Sequence, residues 1–246
     1  MMNYNMMNPV GESCGICILV SCLPPDMANP DAISNLFGHY GDVHKVKVLH
    51  NKPDCALVQM AKPHHAALCR QFLDQVKIEN NTLCVSYSRI QGIKMPTEIE
   101  PEQEKIVKDF SNTKGVHRFR NPIIAAKLSK NLSPPSQMLH VANLPEDFST
   151  EELKNYLLEQ GYTVSDIEDC SKEGGGKMAL VQMGTTEEAI RALAKLHNVT
   201  PEGYTTRNNS GLCFSFSGRK TKAQFAAILE AKKAAAAAVA EPFANE

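Results

Sequence analysis

The chain has 246 residues, of which 26 are basic and 27 acidic, so its formal net charge is −1. A protein this close to neutrality has no global positive field that would attract nucleic acids. Its eight cysteines occur without a charged-then-apolar leader and without an apolar run of about 18 residues. These features argue against a membrane span and predict reduced thiols in an intracellular protein.

The charge is distributed unevenly along the chain. The net charge is +1 over residues 14–90, +3 over residues 91–137 and −4 over residues 138–220. The patterns described below make these segments a first module, a linker and a second module. The linker is therefore the most basic segment, and the second module is acidic.

The first module, residues 14–90, follows a lead, residues 1–13, that is rich in Met and Asn and is predicted to be disordered. An aliphatic run at Cys17–Leu23 predicts the first strand. Asn29 is suited to cap a helix that begins at Pro30, because apolar residues then recur at helical spacing. The remaining elements are a strand at Val43–His50, a turn at Asn51–Asp54, a strand at Cys55–Met60, a helix from Pro63 and a strand at Leu83–Ser88.

Residues 91–137 are predicted to form a partly ordered linker between the modules. A freely solvated linker rarely holds many large apolar side chains, so part of this segment is expected to lie against a module. The apolar residues in question are Ile106, Val107, Phe110, Val116, Phe119, Ile123, Ile124, Leu128 and Leu132.

The second module, residues 138–220, has a strong helix-start signal after its first strand. Ser149 and Glu152 form a capping-box pattern, and Phe148 with Leu153 forms a hydrophobic staple. The rest comprises a strand at Val164–Asp169, a Gly-rich turn, a strand around Ala179–Met183, a helix with inward Ala189, Ala192, Leu193 and Leu196, and a strand at Leu212–Ser217. An Ala-rich tail, residues 221–246, is predicted to be helical.

The two modules are repeats of each other. The five residues Ala56–Met60 recur as Ala179–Met183, and each copy has a similar aliphatic strand upstream and a helical pattern downstream. Each module therefore has the order βαββαβ, which predicts an α+β fold with two tandem ferredoxin-like domains.

The sequence contains few signals for catalysis or for a cofactor. Cys14 and Cys17 have C-x-x-C spacing, but Cys17 opens a strand where a redox dithiol requires a helix. His65 and Cys69 lack two further zinc ligands. The glycines at 174–176 are more typical of a hairpin loop than of a phosphate cradle. We therefore expect no metal, no cofactor and no enzymatic activity.

The βαββαβ order resembles the RNA-recognition motif (RRM). The Ala-Leu-Val-Gln-Met strands, Leu139-His140-Val141 and the linker runs Lys108-Asp109-Phe110 and His117-Arg118-Phe119 together resemble the C-terminal pair of RRM domains in the polypyrimidine tract-binding protein family. The resemblance covers about residues 16–220. It implies binding of pyrimidine tracts, and it implies that the two modules pack back to back through their helices.

The common RRM pattern places aromatic rings on the open sheet face to stack bases, but at those positions the third strands here offer Cys55 and Leu57, or Met178 and Leu180. Stacking is worth about 1 to 3 kcal/mol per base, so hydrogen bonding is expected to supply selectivity instead. By the two-residue period of a strand, the RNA-facing residues are predicted to be Leu19, Ser21, Lys45, Lys47, Leu49, Leu57, Gln59, Ser86, Ser88, His140, Ala142, Leu180, Gln182, Ser215 and Ser217. The cations predicted to meet phosphates at the rim are Lys52, Arg89, Lys177, Arg219 and Lys220.

A second surface is predicted between the modules. Leu68 and Phe72 are expected on the side of their helix that points away from the core, as are Ile190 and Ala194 in the second module. The linker residues Val107, Phe110, Phe119 and Ile123 would provide further apolar cover. Burying two large side chains is worth about 3 to 6 kcal/mol before entropy is subtracted.

The leading hypothesis is therefore a monomeric, non-enzymatic protein that binds single-stranded, pyrimidine-rich RNA. The resemblance implies a ribonucleoprotein role in splicing, mRNA stability or translation, in the nucleus, the cytoplasm or both, with other RNA-processing proteins as partners and no membrane association. The alternative is a protein-interaction pair, because the sheets lack aromatic residues and the second module is acidic.

Overall fold

The structure is a computed structural model that describes residues 15–96, 106–113, 117–171, 174–206, 210–221, 224–225 and 228–231. The chain divides into two compact units, Met1–Lys130 and Asn131–Glu246, and each is described by itself. The predicted disordered lead, Val116 and most of the Ala-rich tail lie outside the described residues. No helix in the described ranges is both long and apolar enough to cross a membrane.

Unit 1 has the predicted βαββαβ order with additional elements. Its five-stranded antiparallel sheet has the order β6-β1-β3-β2-β7. The elements are β1 (Cys17–Ser21), a 3-10 turn (Pro25–Met27), α1 (Pro30–Gly38), β2 (Val43–Leu49), β3 (Lys52–Met60), α2 (Pro63–Leu73), the short hairpin β4 (Lys77–Ile78) and β5 (Asn81–Thr82), β6 (Cys84–Tyr87), β7 (Val107–Asp109) and α3 (Pro122–Ser129).

The helix starts and inward rows of unit 1 follow the local sequence signals. The Asn29 side chain accepts a hydrogen bond from the backbone N–H of Ala32 at 2.9 Å, as expected of an N-cap. Ala66, Cys69 and Leu73 form the buried row of α2 and are all fully inaccessible. The predicted first helix and second helix are therefore confirmed, with strand ends that differ from the predicted ones by one to three residues.

Linker residues extend unit 1. β7 pairs antiparallel with β2, with Val107 opposite Lys47 and Asp109 opposite Lys45. The Lys108 ammonium also donates to Asp31 on α1 at 2.7 Å. A fifth strand was not foreseen, because three residues give too short a pattern to be recognised in sequence.

A second linker stretch, residues 117–119, is anchored at Asp42. The Asp42 carboxylate accepts a hydrogen bond from the Phe119 backbone N–H at 2.9 Å and lies 3.8 Å from His117 Nδ1. The Phe119 ring is 5.4 Å from the ring of the buried His65. Next to this site, a Cβ on Gly41 would lie 2.3 Å from the Cβ of His65, so only glycine fits there.

Unit 2 has a four-stranded antiparallel sheet in the order β11-β8-β10-β9. Its elements are β8 (Met138–Leu144), α4 (Thr150–Glu159), β9 (Val164–Asp169), β10 (Lys177–Met183), α5 (Thr186–Leu196) and β11 (Cys213–Phe216). The capping box at Ser149 and Glu152 is confirmed. A second one at Thr185 and Glu188 follows the same T-x-x-E signal.

The repeat extends to the backbone. Cys22 directly follows β1, and Asn143 is the second-last residue of β8; both adopt a left-handed conformation, with φ of 61° and 60°. The inner sheet faces carry the repeated Ala, Val and Met side chains, all with no more than 1% exposure. The same five residues therefore serve as core strands in both units.

Candidate nucleic-acid interface

The outer face of each sheet is the face that does not pack against the helices. In unit 2, cross-strand pairing aligns Leu180 with His140, and His140 with Ser215. Gln182 pairs with Met138 in the next row on the same face. The structure thus brings together four of the predicted residues of the second module on adjacent strands.

This face has a mixed polar and aliphatic character. His140 Nε2 lies 3.3 Å from the Met178 sulfur, and the Ser215 hydroxyl donates to the His140 backbone carbonyl at 3.3 Å. Leu180 is only 3% exposed, so it forms a floor and not an exposed contact. Gln182 and Ala142 are half-buried.

Two carboxylates flank the same face and were not singled out from the sequence. Glu168 pairs with Leu180, and Asp166 pairs with Gln182, so both lie on the outer edge of the predicted base-reading rows. The period of two along Val164–Asp169 was the signal that could have found them. Carboxylates repel phosphates but accept hydrogen bonds from base amino groups.

The segment after β11 turns back toward the outer face of unit 2. Gln224 Nε2 lies 3.8 Å from the sulfur of Met138, and Thr221 is 1% exposed. Ser217 is 8% exposed, and its hydroxyl accepts from the Arg219 backbone N–H at 3.1 Å. Ser217, predicted to face RNA, is therefore largely engaged by its own chain, whereas Arg219 and Lys220 are exposed.

In unit 1, the outer face aligns Ser86, Leu19, Leu57 and Lys47 across four strands, and β7 adds Val107 to the same row. Gln59 and Lys45 form the neighbouring row. Lys47 is exposed, Leu19, Leu49 and Ser86 are half-buried, and Ser21 is half-buried near the end of β1. The predicted residues are thus grouped on one face.

Residues 91–96, here called the strap, cross this outer face after β6. The Ile93 backbone N–H donates to Gln59 Oε1 at 2.9 Å, and the Lys45 ammonium donates to the Ile93 carbonyl at 3.4 Å. The Ile93 side chain packs with Leu57 and Val107, against which Leu19, Leu49 and Met95 also pack. Leu57 is consequently only 7% exposed although it lies on the predicted face.

The strap was missed because its interactions are not local in sequence. Its polar partners lie 34 and 48 residues upstream, and Ile93 alone gives no periodic signal. The only available indication was the general surplus of apolar residues in the linker.

The remaining rim residues differ in their exposure and in their hydrogen-bond partners. Lys52 and Arg89 are exposed, and the Ser88 hydroxyl accepts from the Ile90 backbone N–H at 3.0 Å. The Lys177 ammonium donates to the Glu146 carbonyl at 2.8 Å. Lys45 also lies 3.8 Å from the Asp109 carboxylate, so its charge is partly balanced within unit 1.

The residues predicted to lie between the modules differ in burial. Val107, Phe110 and Phe119 are buried, with backbone hydrogen bonds to β2 or Asp42 that tie them to unit 1. Leu68 and Phe72 are half-buried, and the Phe72 ring stacks on Tyr40 at 4.9 Å. Ile190 and Ala194 are fully buried and so belong to a wider buried face of α5 than expected, whereas Ile123 is 70% exposed. The predicted packing through the helices stays a prediction.

Within the described ranges, no group of three or more His, Cys, Asp or Glu side chains is arranged to hold a metal ion. Burial lowers the pKa of His65 to about 4, and the neighbouring His64 contributes in the same direction. Burial raises the pKa of the Cys69 thiol, which is fully inaccessible in the core. These perturbed groups lie in the interior, away from the outer faces.

Comparison with known proteins agrees with the fold. The family model for the RNA recognition motif, also called RRM, RBD or RNP domain, matches residues 4–113. Polypyrimidine tract-binding protein homolog 3 of Arabidopsis thaliana is 34% identical over 190 residues, which cover 77% of this chain. The chain belongs to the polypyrimidine tract-binding protein family. It spans 41% of the length of this family relative.

Solved structures with some likeness to the chain also contain tandem RRM domains. RNA recognition domains 1 and 2 of Sex-lethal from Drosophila melanogaster are 18% identical and cover 82% of this chain and 100% of their own, with a TM-score of 0.28. The first two RRM domains of the yeast poly(U) binding protein are 16% identical and cover 83% of this chain and 99% of their own, with a TM-score of 0.27.

Proposed function

We propose that this chain binds single-stranded RNA with a preference for pyrimidine-rich, CU-containing tracts. The observation that carries the proposal is the row of His140, Leu180 and Ser215 on the outer face of unit 2, flanked by Gln182. Membership of the polypyrimidine tract-binding family supports the same ligand.

The chemistry of this row suits a small base. Leu180 forms the aliphatic floor beneath this row, and imidazole, amide and hydroxyl groups can pair with a Watson–Crick edge. Glu168 and Asp166 can accept hydrogen bonds from the amino group of cytosine. The same carboxylates keep phosphates away from the row, so the RNA backbone runs beside the cations at the rim.

In unit 1, the strap must move off the outer face before RNA can bind there. The peptide groups of Ile93 present one N–H donor to Gln59 and one carbonyl acceptor to Lys45. A uracil edge presents the same combination of a ring N–H next to a carbonyl. The strap therefore occupies the polar groups that a pyrimidine would use, and RNA competes with it for Gln59 and Lys45.

The biological setting follows from family membership. We propose that the protein acts in pre-mRNA splicing or in control of mRNA stability and translation, in the nucleus, the cytoplasm or both. RNA is the ligand, other RNA-processing proteins are further partners, and the chain acts as a monomeric, non-enzymatic RNA-binding protein.

A second candidate function is protein interaction through unit 1. It is favoured by the strap, which leaves Leu57 nearly inaccessible on the face that would bind bases. In this case unit 1 would bind a peptide, and unit 2 alone would bind RNA.

Titration of the full chain with fluorescein-labelled oligo-U, oligo-CU and oligo-A of equal length tests the proposal. Saturable binding with pyrimidines preferred over oligo-A is expected. Equal affinity for all three would contradict the base-reading assignment. Absence of binding to any of them would leave protein interaction as the better function.

A further inference from the structure

Neither sheet offers a Phe, Tyr or Trp ring at its central outer positions. Leu57 and Leu180 occupy the central third strands, and Leu19 and His140 occupy the first strands. Stacking on a ring strengthens single-strand binding by about fivefold to a hundredfold per base. A ring supplied from outside the strands would therefore raise the affinity for single-stranded RNA substantially.

The segment that follows β11 supplies one. Phe225 is 61% exposed, and Leu229 in the same segment is 56% exposed. Together with Ile228 they line a groove of about 500 Å³, whose other wall is Gly218, Arg219 and Lys220.

The groove is held beside the base-reading face. The Thr221 and Gln224 side chains cap each other's backbone N–H groups, at 3.2 and 3.3 Å. The Phe225 backbone N–H donates to the Thr221 carbonyl at 3.0 Å, which begins a helical turn. Gln224 also reaches the sulfur of Met138, which shares its row with Gln182. This contact ties the segment to unit 2 one residue before Phe225.

The charges of the groove identify its occupant. Arg219 and Lys220 are exposed, and no hydrogen bond or ion pair engages either side chain among the residues described. A ring beside two cations fits a nucleotide, because the ring stacks a base while the cations meet its phosphate. An apolar helix of a partner protein would leave both cations without a counter-charge.

We propose that Phe225, with Arg219 and Lys220, forms a stacking site for one nucleotide of single-stranded RNA that continues from the outer face of unit 2. The site takes any base, because every base has a π-face, and it adds affinity more than sequence preference. This inference rests on the proposed RNA-binding function and extends it to a surface outside the strands.

The chain contains no tryptophan, so Phe225→Trp provides a single fluorescent probe at the proposed site. Quenching of the Trp emission on addition of oligo-CU RNA, in parallel with the rise in anisotropy of labelled RNA, is expected. Leu158→Trp is the matched control, since Leu158 is a 47% exposed apolar residue of α4 in the same unit. Its emission is expected to stay constant.

Affinity measurements on the full chain complete the test. Phe225→Ala is expected to weaken oligo-CU and oligo-A binding by a similar factor, roughly fivefold or more for a stacked base. Phe225→Trp is expected to retain the affinity. Phe225→Leu is expected to lose most of the contribution of the Phe225 ring to affinity, because leucine keeps apolar area but has no ring. Leu158→Ala is expected to leave the affinity unchanged.

The outcomes separate this inference from the function on which it rests. If the wild-type chain binds pyrimidine RNA but Phe225→Ala binds equally well, the stacking site is wrong and the RNA-binding function stands. If Phe225→Ala instead changes the molar mass measured by light scattering, the groove is an interface between copies of the chain. If the wild type binds no RNA, both ideas fail.

Discussion

Replacing Ile93 by Ala is expected to loosen the strap and to increase the affinity of unit 1 for RNA. Ile93 is 5% exposed and packs on Leu57 and Val107, while its peptide groups occupy Gln59 and Lys45. The substitution removes apolar contacts but leaves the polar groups of the sheet intact. Those groups then become available to a base for a larger fraction of the time.

The size of the effect follows from the burial of this side chain. Fully burying an isoleucine contributes about 1.5 to 3 kcal/mol, and alanine retains only a small part of that. If closure of the strap is favoured by about 2 kcal/mol, the open form makes up only about 3% of the wild type, and the apparent Kd is raised accordingly. Ile93→Ala is therefore expected to tighten binding to unit 1 about tenfold or more.

The assay requires a background in which unit 2 contributes little, so the substitution is introduced together with His140→Ala and Gln182→Ala in the full chain. RNA affinity is measured by anisotropy with an oligo-CU RNA, and opening of the strap by amide hydrogen exchange. Ile90→Ala is the matched control, because Ile90 is 49% exposed and lies three residues upstream. Faster exchange in the strap with unchanged or weaker RNA binding would refute the competition and make the strap part of the RNA site.

Three further predictions concern unit 2, the rim and the core. His140→Ala and Gln182→Ala are each expected to weaken pyrimidine binding by roughly 1 kcal/mol or more, because a buried base edge loses its partner; unchanged affinity in both variants would rule out the outer face as the reading surface. The dependence of log affinity on log salt is expected to be shallow, near −0.7 per contact for about two to four phosphate contacts, and a slope steeper than about −5 would reveal a basic surface that has been missed. His65 has a pKa of about 4 in the folded chain, below its ordinary 6.5, so protonation of His65 favours the unfolded chain. The contribution of neutral His65 to stability is complete above pH 6.5 and is lost as the pH falls toward 4. That contribution is about 3 kcal/mol, and His65→Gln is expected to flatten the pH dependence of the urea midpoint between pH 4 and 6.5. An equal slope in wild type and variant would show that His65 is not the group responsible.

Much of the fold could be predicted because its signals are local. The Asn29 cap, the Ser149 capping box and the inward row of α2 each depend on residues within a few positions of one another. The period of two along the repeated strands also placed His140 and Gln182 on the correct face. These features stay the same whatever surrounds the segment.

The environment of the predicted face could not be predicted in the same way. Leu57 has the strand position of a base contact, yet Ile93 covers it from 36 positions further along the chain. The Ser217 hydroxyl likewise accepts a hydrogen bond from the Arg219 backbone N–H. Alternation along a strand determines which face a side chain takes, but it does not determine what lies above that face.

The sequence by itself therefore determined the repeat, the βαββαβ order and the residues that share the outer faces, because propensity, capping and period act within short stretches. Only the tertiary structure decided that the strap closes over Gln59 and Lys45, that β7 adds a fifth strand, and that Gln224 reaches Met138 in the row of Gln182. These arrangements depend on hydrogen bonds and apolar contacts between residues tens of positions apart, and no local pattern specifies such long-range contacts.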